Sequence, residues 1–248
     1  MILIVSGEGP TDIGRCLNAE ARCNDRNFEP GPMATLVDKI AEGELGYSLT
    51  DSGALDHVPE STRTQMAKKL PMTFVTGRRR DFETGHFFKE ARALARLAMT
   101  ESRSDGCPRG VVLFHDADGT RATERGLYES RLKSMKDGFA SEEFEFGVPM
   151  VPKPKSEAWL ICALKQGAYQ NCQSLETALS GNDNSPEPAK QQLQALLDGM
   201  GKQVSDLANM VQEGTIDHGR ISMPSYDVFK KRLKEVLQSL QRQPSSSC

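Results

Sequence analysis

Two short apolar runs constrain this chain more than any other feature. Residues 2–5 (ILIV) lead into Ser6-Gly7-Glu8-Gly9, and residues 111–114 (VVLF) lead into His115-Asp116-Ala117-Asp118-Gly119. Short apolar runs bounded by turn residues suit strands buried on both faces, as in a parallel sheet. A helical pattern over 83–99 puts Phe87, Phe88, Ala91, Leu94 and Leu97 on one face. Residues 145–151 alternate Phe146, Val148 and Met150 like a further strand. Strands separated by helices over the first 155 residues predict an α/β fold, with a mostly parallel, Rossmann-like central sheet flanked by helices.

Other segments are assigned around that frame. Pro10 suits a first helical position, and Ile13, Leu17 and Ala21 repeat at helical spacing, which predicts a helix straight after the turn at residues 6–9. Residues 24–70, rich in Pro, Gly, Ser and Asp, read as an insertion with helical patches at 33–41 and 62–70. A strand is expected at 72–75, a loop at 102–110, a helix near 121–136 and a helix from 156 with Ser156 as its N-cap. The rest reads as helical, with short helices at 189–200 and 204–212. The last, over 225–240, carries the stripe Tyr226, Phe229, Leu233, Val236, Leu237 and Leu240. The expected organisation is an α/β domain over 1–165 with an insertion at about 24–70, a helical C-terminal subdomain over 166–242 packed on it, and a disordered tail at 243–248.

Composition narrows the class. The chain is 38% hydrophobic and 26% charged, ordinary for a soluble protein. No apolar run approaches the ~20 residues of a membrane span. The start has no basic segment ahead of its apolar run, so the expectation is a cytoplasmic protein without a membrane partner. The six cysteines form no CxxC pair and the four histidines are scattered, which argues against a zinc cluster and a disulfide framework and predicts reduced thiols. A net charge of −3 leaves nucleic-acid binding to a local basic patch. The oligomeric state is left open.

Functional groups of open α/β sheets collect beyond the carboxyl ends of the strands. Glu8 follows the first apolar run and Asp12 a turn later; Asp116 and Asp118 follow the second. Residues i and i+2 of a strand end point the same way, so both aspartates could face one cation. Mg²⁺ takes hard oxygen ligands, and carboxylates from separate segments supply them. The plainer alternatives are a helix-dipole role for Asp12 and ordinary turn chemistry for Asp118-Gly119. In residues 151–161, Glu157 is either a first-turn acid or a further carboxylate of the site. Lys153 and Lys155 are either solvated or neutralise a phosphate. Arg78-Arg79-Arg80 is either a solvated loop or a grip on backbone phosphates. His115 is expected to pack or to hydrogen-bond rather than to catalyse.

Taken in order, these segments are similar to the TOPRIM fold, the catalytic domain of topoisomerases, primases and OLD-type nucleases. The closest likeness is to small TOPRIM-like proteins of the OLD and RloB type. It rests on Glu8-Gly9-Pro10-Thr11-Asp12, on Asp116-Ala117-Asp118, on Pro154-Lys155-Ser156-Glu157-Ala158-Trp159, and on Asp217, Arg220, Pro224, Ser225, Tyr226 and Phe229. The resemblance implies Mg²⁺- or Mn²⁺-dependent cleavage of DNA or RNA in bacterial anti-phage defence. Glu8, Asp116 and Asp118 would hold the ion, with Asp12 and Glu157 joining a second. Lys155 and Glu157 would take part in catalysis, and Lys153 with Arg78, Arg79 and Arg80 would bind nucleic acid. With no GxxxxGK[ST] segment in the chain, any nucleotide-driven step would need a partner ATPase. Two other readings stay open. One is a non-cutting subunit of such an ATPase complex. The other is a HAD-like phosphatase with Asp116 as nucleophile and Asp118 as acid/base. Against the phosphatase, the motif lies mid-chain and no late acidic pair follows Lys155.

Overall fold

The computed structural model describes residues 1–18, 20–24, 26–71, 85–117, 127–165, 172–179 and 188–243. Asp118, Arg78, Arg79 and Arg80 lie outside these residues, as do the strand expected at 72–75, the first part of the helix expected at 121–136, and residues 244–248.

The first apolar run forms β1 (Ile2–Gly7) and the second β5 (Arg109–Phe114). With β4 (Leu55–His57) and β6 (Gly147–Met150) they make a four-stranded, all-parallel sheet in the order β4-β1-β5-β6. Side chains alternate across it, as the two-residue period of a strand demands. Leu3, Val5, Val112, Phe114, Val148 and Met150 join one core layer; Ile4, Val111 and Leu113 join the other. The first layer is completed by α1 (Pro32–Leu45) and α9 (Pro224–Gln241), the second by α3 (Gly85–Asp105) and α4 (Leu127–Ala140). The fold is therefore α/β with helices on both faces.

The segment expected to be an insertion supplies integral parts of this core. β4 pairs with β1, and α1 buries Met33, Leu36, Val37 and Ile40 against the sheet. β4 escapes the eye because it is three residues long and holds Asp56 and His57. It is followed by α2 (Glu60–Lys69).

The helix expected after Pro10 does not form. Asp12 and Ile13 both donate their N–H to the Gly9 carbonyl, closing one turn. Gly14 then adopts φ +106°, where a Cβ would stand 2.3 Å from the Glu29 carbonyl oxygen. The chain leaves as β2 (Gly14–Cys16), paired antiparallel with β3 (Phe28–Pro30). Ile13 is buried, but Leu17 is 60% exposed, so the helical spacing there is coincidental. The loop expected at 102–110 shortens to residues 106–108, because α3 runs on to Asp105 and β5 begins at Arg109.

The cysteines depart from expectation as well. Cys16 is bonded to Cys23 and Cys162 to Cys172, and Cys107 is also in a disulfide. The partners lie seven and ten positions apart, outside the CxxC spacing on which the expectation of free thiols rests. Among the described residues, no helix is long and apolar enough to cross a membrane.

The C-terminal helices pack on the same core. Trp159, fully buried on α5 (Ser156–Leu164), stacks on Phe229 at 5.6 Å and meets Tyr226 edge-on at 5.2 Å. Its indole N–H donates to Ser225 Oγ at 2.9 Å, so the polar end of the ring is satisfied. The whole stripe read on the last helix is buried. The chain also forms α6 (Leu175–Ala178), α7 (Ala189–Gly199) and α8 (Leu207–Gln212), the last packed on α1.

Candidate functional site

The sheet order fixes where a site can form. From β1 the chain moves to β4 on one side, then crosses to β5 on the other. The carboxyl ends of β1 and β5 therefore flank the point where the winding reverses, and such a point leaves a crevice. Glu8 lies just past the end of β1, and His115 and Asp116 just past the end of β5. Close backbone approach needs a glycine at position 7, where a Cβ would stand 2.7 Å from the Phe114 ring. Gly9, at φ +74°, turns the chain back towards the crevice.

Hydrogen bonds join these segments. The Asp116 N–H donates to Glu8 Oε1 at 2.7 Å. The Ser156 N–H donates to Asp116 Oδ1 at 2.9 Å, and Ser156 Oγ donates to Asp12 Oδ1 at 2.6 Å. Ser156 is therefore not the N-cap of α5; Lys155 holds that place, and Ser156 is the first helical residue. Its hydroxyl, on a residue 1% exposed, is drawn to the Asp12 carboxylate at 2.6 Å and stands 3.4 Å from Glu157 Oε2. The Arg131 guanidinium donates to the Asp116 carbonyl.

The electrostatics show four carboxylates within reach of one another. Burial, then Asp12, Glu157 and Glu8, push the Asp116 carboxyl well above the ordinary carboxylate range. Burial also raises Asp12, against hydrogen bonds from Ser156 and Thr11; Glu8 adds to the rise and Lys155 opposes it. Glu8 goes the other way. Burial would raise it, but the His115 contact, the Asp116 N–H and Arg131 together hold it below the ordinary range. One carboxylate is thus kept ionised while two neighbours are pressed towards the neutral form, the result of crowding like charges.

No protein-family model matches this chain, and no curated protein or solved structure is significantly similar to it.

Of the residues singled out in the sequence, Glu8, Asp12, Asp116 and Glu157 are brought together. Lys155 sits at the head of α5 and acts on Asp12. Lys153 stands apart, its ammonium 5.5 Å from the centre of the Tyr128 ring. Sequence reasoning does not reach Ser156 as a partner of the acids, nor Arg131, nor the partners of His115. They lie on separate elements, and no local motif ties them to the acids. His115 does hydrogen-bond, through Nε2 to Glu90 Oε2 at 2.9 Å. The oxygen-only donor set suits a hard divalent ion such as Mg²⁺ or Mn²⁺. Among the described residues no three candidate ligands already stand at metal-holding spacing, and Asp118 is not one of those residues.

Beside the crevice runs an open groove of about 920 Å³. One wall is the 9–16 turn, with Pro10, Ile13 and Arg15; the other is α2, with Thr62, Gln65 and Lys68.

Proposed function

We propose that the chain is a divalent-metal-dependent nuclease of the TOPRIM-like kind, hydrolysing phosphodiester bonds of DNA or RNA. The observation that carries this reading is the convergence of Glu8, Asp12, Asp116 and Glu157 at the switch point, with Asp116 pushed far towards protonation by burial and by its neighbours. Unneutralised, that arrangement costs stability; a divalent cation would relieve it. Glu8, already ionised, and Asp116 would hold the ion from the ends of two strands. Asp118, two positions on from Asp116, would be a further ligand. Asp12 and Glu157 would hold a second ion or orient water on the first. When bound, Mg²⁺ or Mn²⁺ supplies an activated water and neutralises charge on the departing oxygen.

The chain's own residues set the rest. Ser156 ties Asp12 to Asp116 and so fixes the spacing of the acids. Lys155, at the head of α5, would offset negative charge on a phosphate. The groove between the 9–16 turn and α2, with Lys68 and Arg15 on its walls, would take the polymer beside the acids. A defence role beside a partner ATPase belongs to the same proposal and rests on the motif resemblance.

The test is cleavage of single- and double-stranded DNA and RNA by the purified chain in Mg²⁺ or Mn²⁺. Glu8→Ala and Asp116→Ala should each slow cleavage by about 10²-fold or more, the scale for removing a group that stabilises transition-state charge. Variants that cut as fast as the wild type would refute the reading.

A further inference from the structure

Behind Glu8 lies a line of buried charged and polar groups that the cleavage chemistry does not use. Glu8 is open to solvent on one side, its side chain 39% exposed. On the inner side, its Oε2 stands 3.3 Å from His115 Nδ1. The His115 ring is buried and is held in place by Phe87, edge-on at 4.7 Å. Its other nitrogen, Nε2, is hydrogen-bonded to Glu90 Oε2, on α3. The same Glu90 oxygen lies 3.3 Å from Arg63 Nε, on α2. Arg63 is fully buried and donates through Nη1 to Ser6 Oγ at 3.1 Å. Ser6 in turn donates to the Val58 carbonyl at 2.6 Å. The line thus begins at the crevice and ends on the backbone beside β4.

Such a line is costly to bury, since each charge must be desolvated. Three of its buried nitrogens lack a well-aligned hydrogen bond: Arg63 Nε, Arg63 Nη2 and His115 Nδ1. The first faces Glu90, and the last faces Glu8 across the 3.3 Å gap. The ring is fixed from behind by Glu90 and from the side by Phe87; the Asp116 N–H holds Glu8 Oε1, and His115 faces the other oxygen, Oε2. Carboxylates that ligate a metal are themselves oriented by hydrogen-bonding partners one layer further out.

Resting on the proposal that Glu8 holds a divalent cation, we propose that His115 and Glu90 are positioning residues for that cation. His115 sets the rotation of the Glu8 carboxylate, and Glu90, anchored by Arg63, sets the rotation of His115. They touch neither the ion nor the substrate.

The experiment is Mn²⁺ titration of the purified full chain by calorimetry, without nucleic acid, with thermal unfolding recorded for each variant. His115→Gln and Glu90→Ala should weaken Mn²⁺ binding by about 10–100-fold, the usual effect of removing such a support. His115→Asn places its amide nitrogen where Nδ1 stands and should restore most of the affinity; the Gln amide occupies the Nε2 position and should not. Asn gives up the Glu90 contact and Gln can keep it, so a purely structural role would favour Gln, the opposite order. This pair keeps the inference testable even if Glu90→Ala fails to fold. If the wild type binds Mn²⁺ and folded His115→Gln binds it equally well, positioning is overturned and the metal reading stands. If the wild type binds no Mn²⁺, both fall together.

Discussion

Asp116 carries the tension of this molecule in one side chain. Its carboxyl pKa is raised by burial and by three acidic neighbours, whereas in the unfolded chain it would be ordinary. A carboxyl whose pKa rises on folding favours the folded state while protonated. That contribution is complete below the ordinary value of 3.8 and is lost as pH rises through the higher folded value. Without metal, Asp116→Asn should therefore be more stable than the wild type at pH 7, by about 2–4 °C in Tm for each kcal/mol of repulsion relieved. The gain should vanish once the pH falls below the ordinary carboxylate range. Thermal unfolding in chelator at pH 7 and pH 3.5 checks both halves. Asp116 and Glu8 stand out in the sequence because each follows a buried apolar run. Asp12 stands out as the acid one turn beyond Glu8, although the helix expected to carry it is broken at Gly14. Glu90 and Arg63 do not stand out at all, because nothing local distinguishes a buried charge from a solvated one on an amphipathic helix.

Among the elements, α5 does most to tie the two halves of the chain. Its first residue, Ser156, reaches the acidic crevice, and Trp159, one turn on, is buried against α9. Trp159→Ala would leave a large cavity and deprive Ser225 of its indole donor, at a cost of about 3–5 kcal/mol. Urea unfolding should show that loss as a lower midpoint with little change in slope. The long helices are legible because periodicity repeats over several turns, as in α9 and α3. β4 is not, since three residues hold no period, and its role depends entirely on pairing with β1. The 9–16 turn misleads for the same reason: its geometry is set by a β3 strand that contacts it from 14 positions away.

For the whole molecule, the parallel order β4-β1-β5-β6 explains why residues 108 positions apart meet. Parallel strands bring like ends together, so two acidic turns far apart in sequence must share one crevice. The α/β class and the helical C-terminal part follow from the alternation of apolar runs and helical patterns. The disulfides do not, because pairings at seven- and ten-residue separations are set by how loops fold back. The proposed function requires a divalent ion held between the ends of β1 and β5. Crystals soaked in Mn²⁺ and measured at the manganese absorption edge test this directly. An anomalous peak between the Glu8 and Asp116 carboxylates is the expected result. A map with no peak there, whether Mn²⁺ binds elsewhere or not at all, would contradict it.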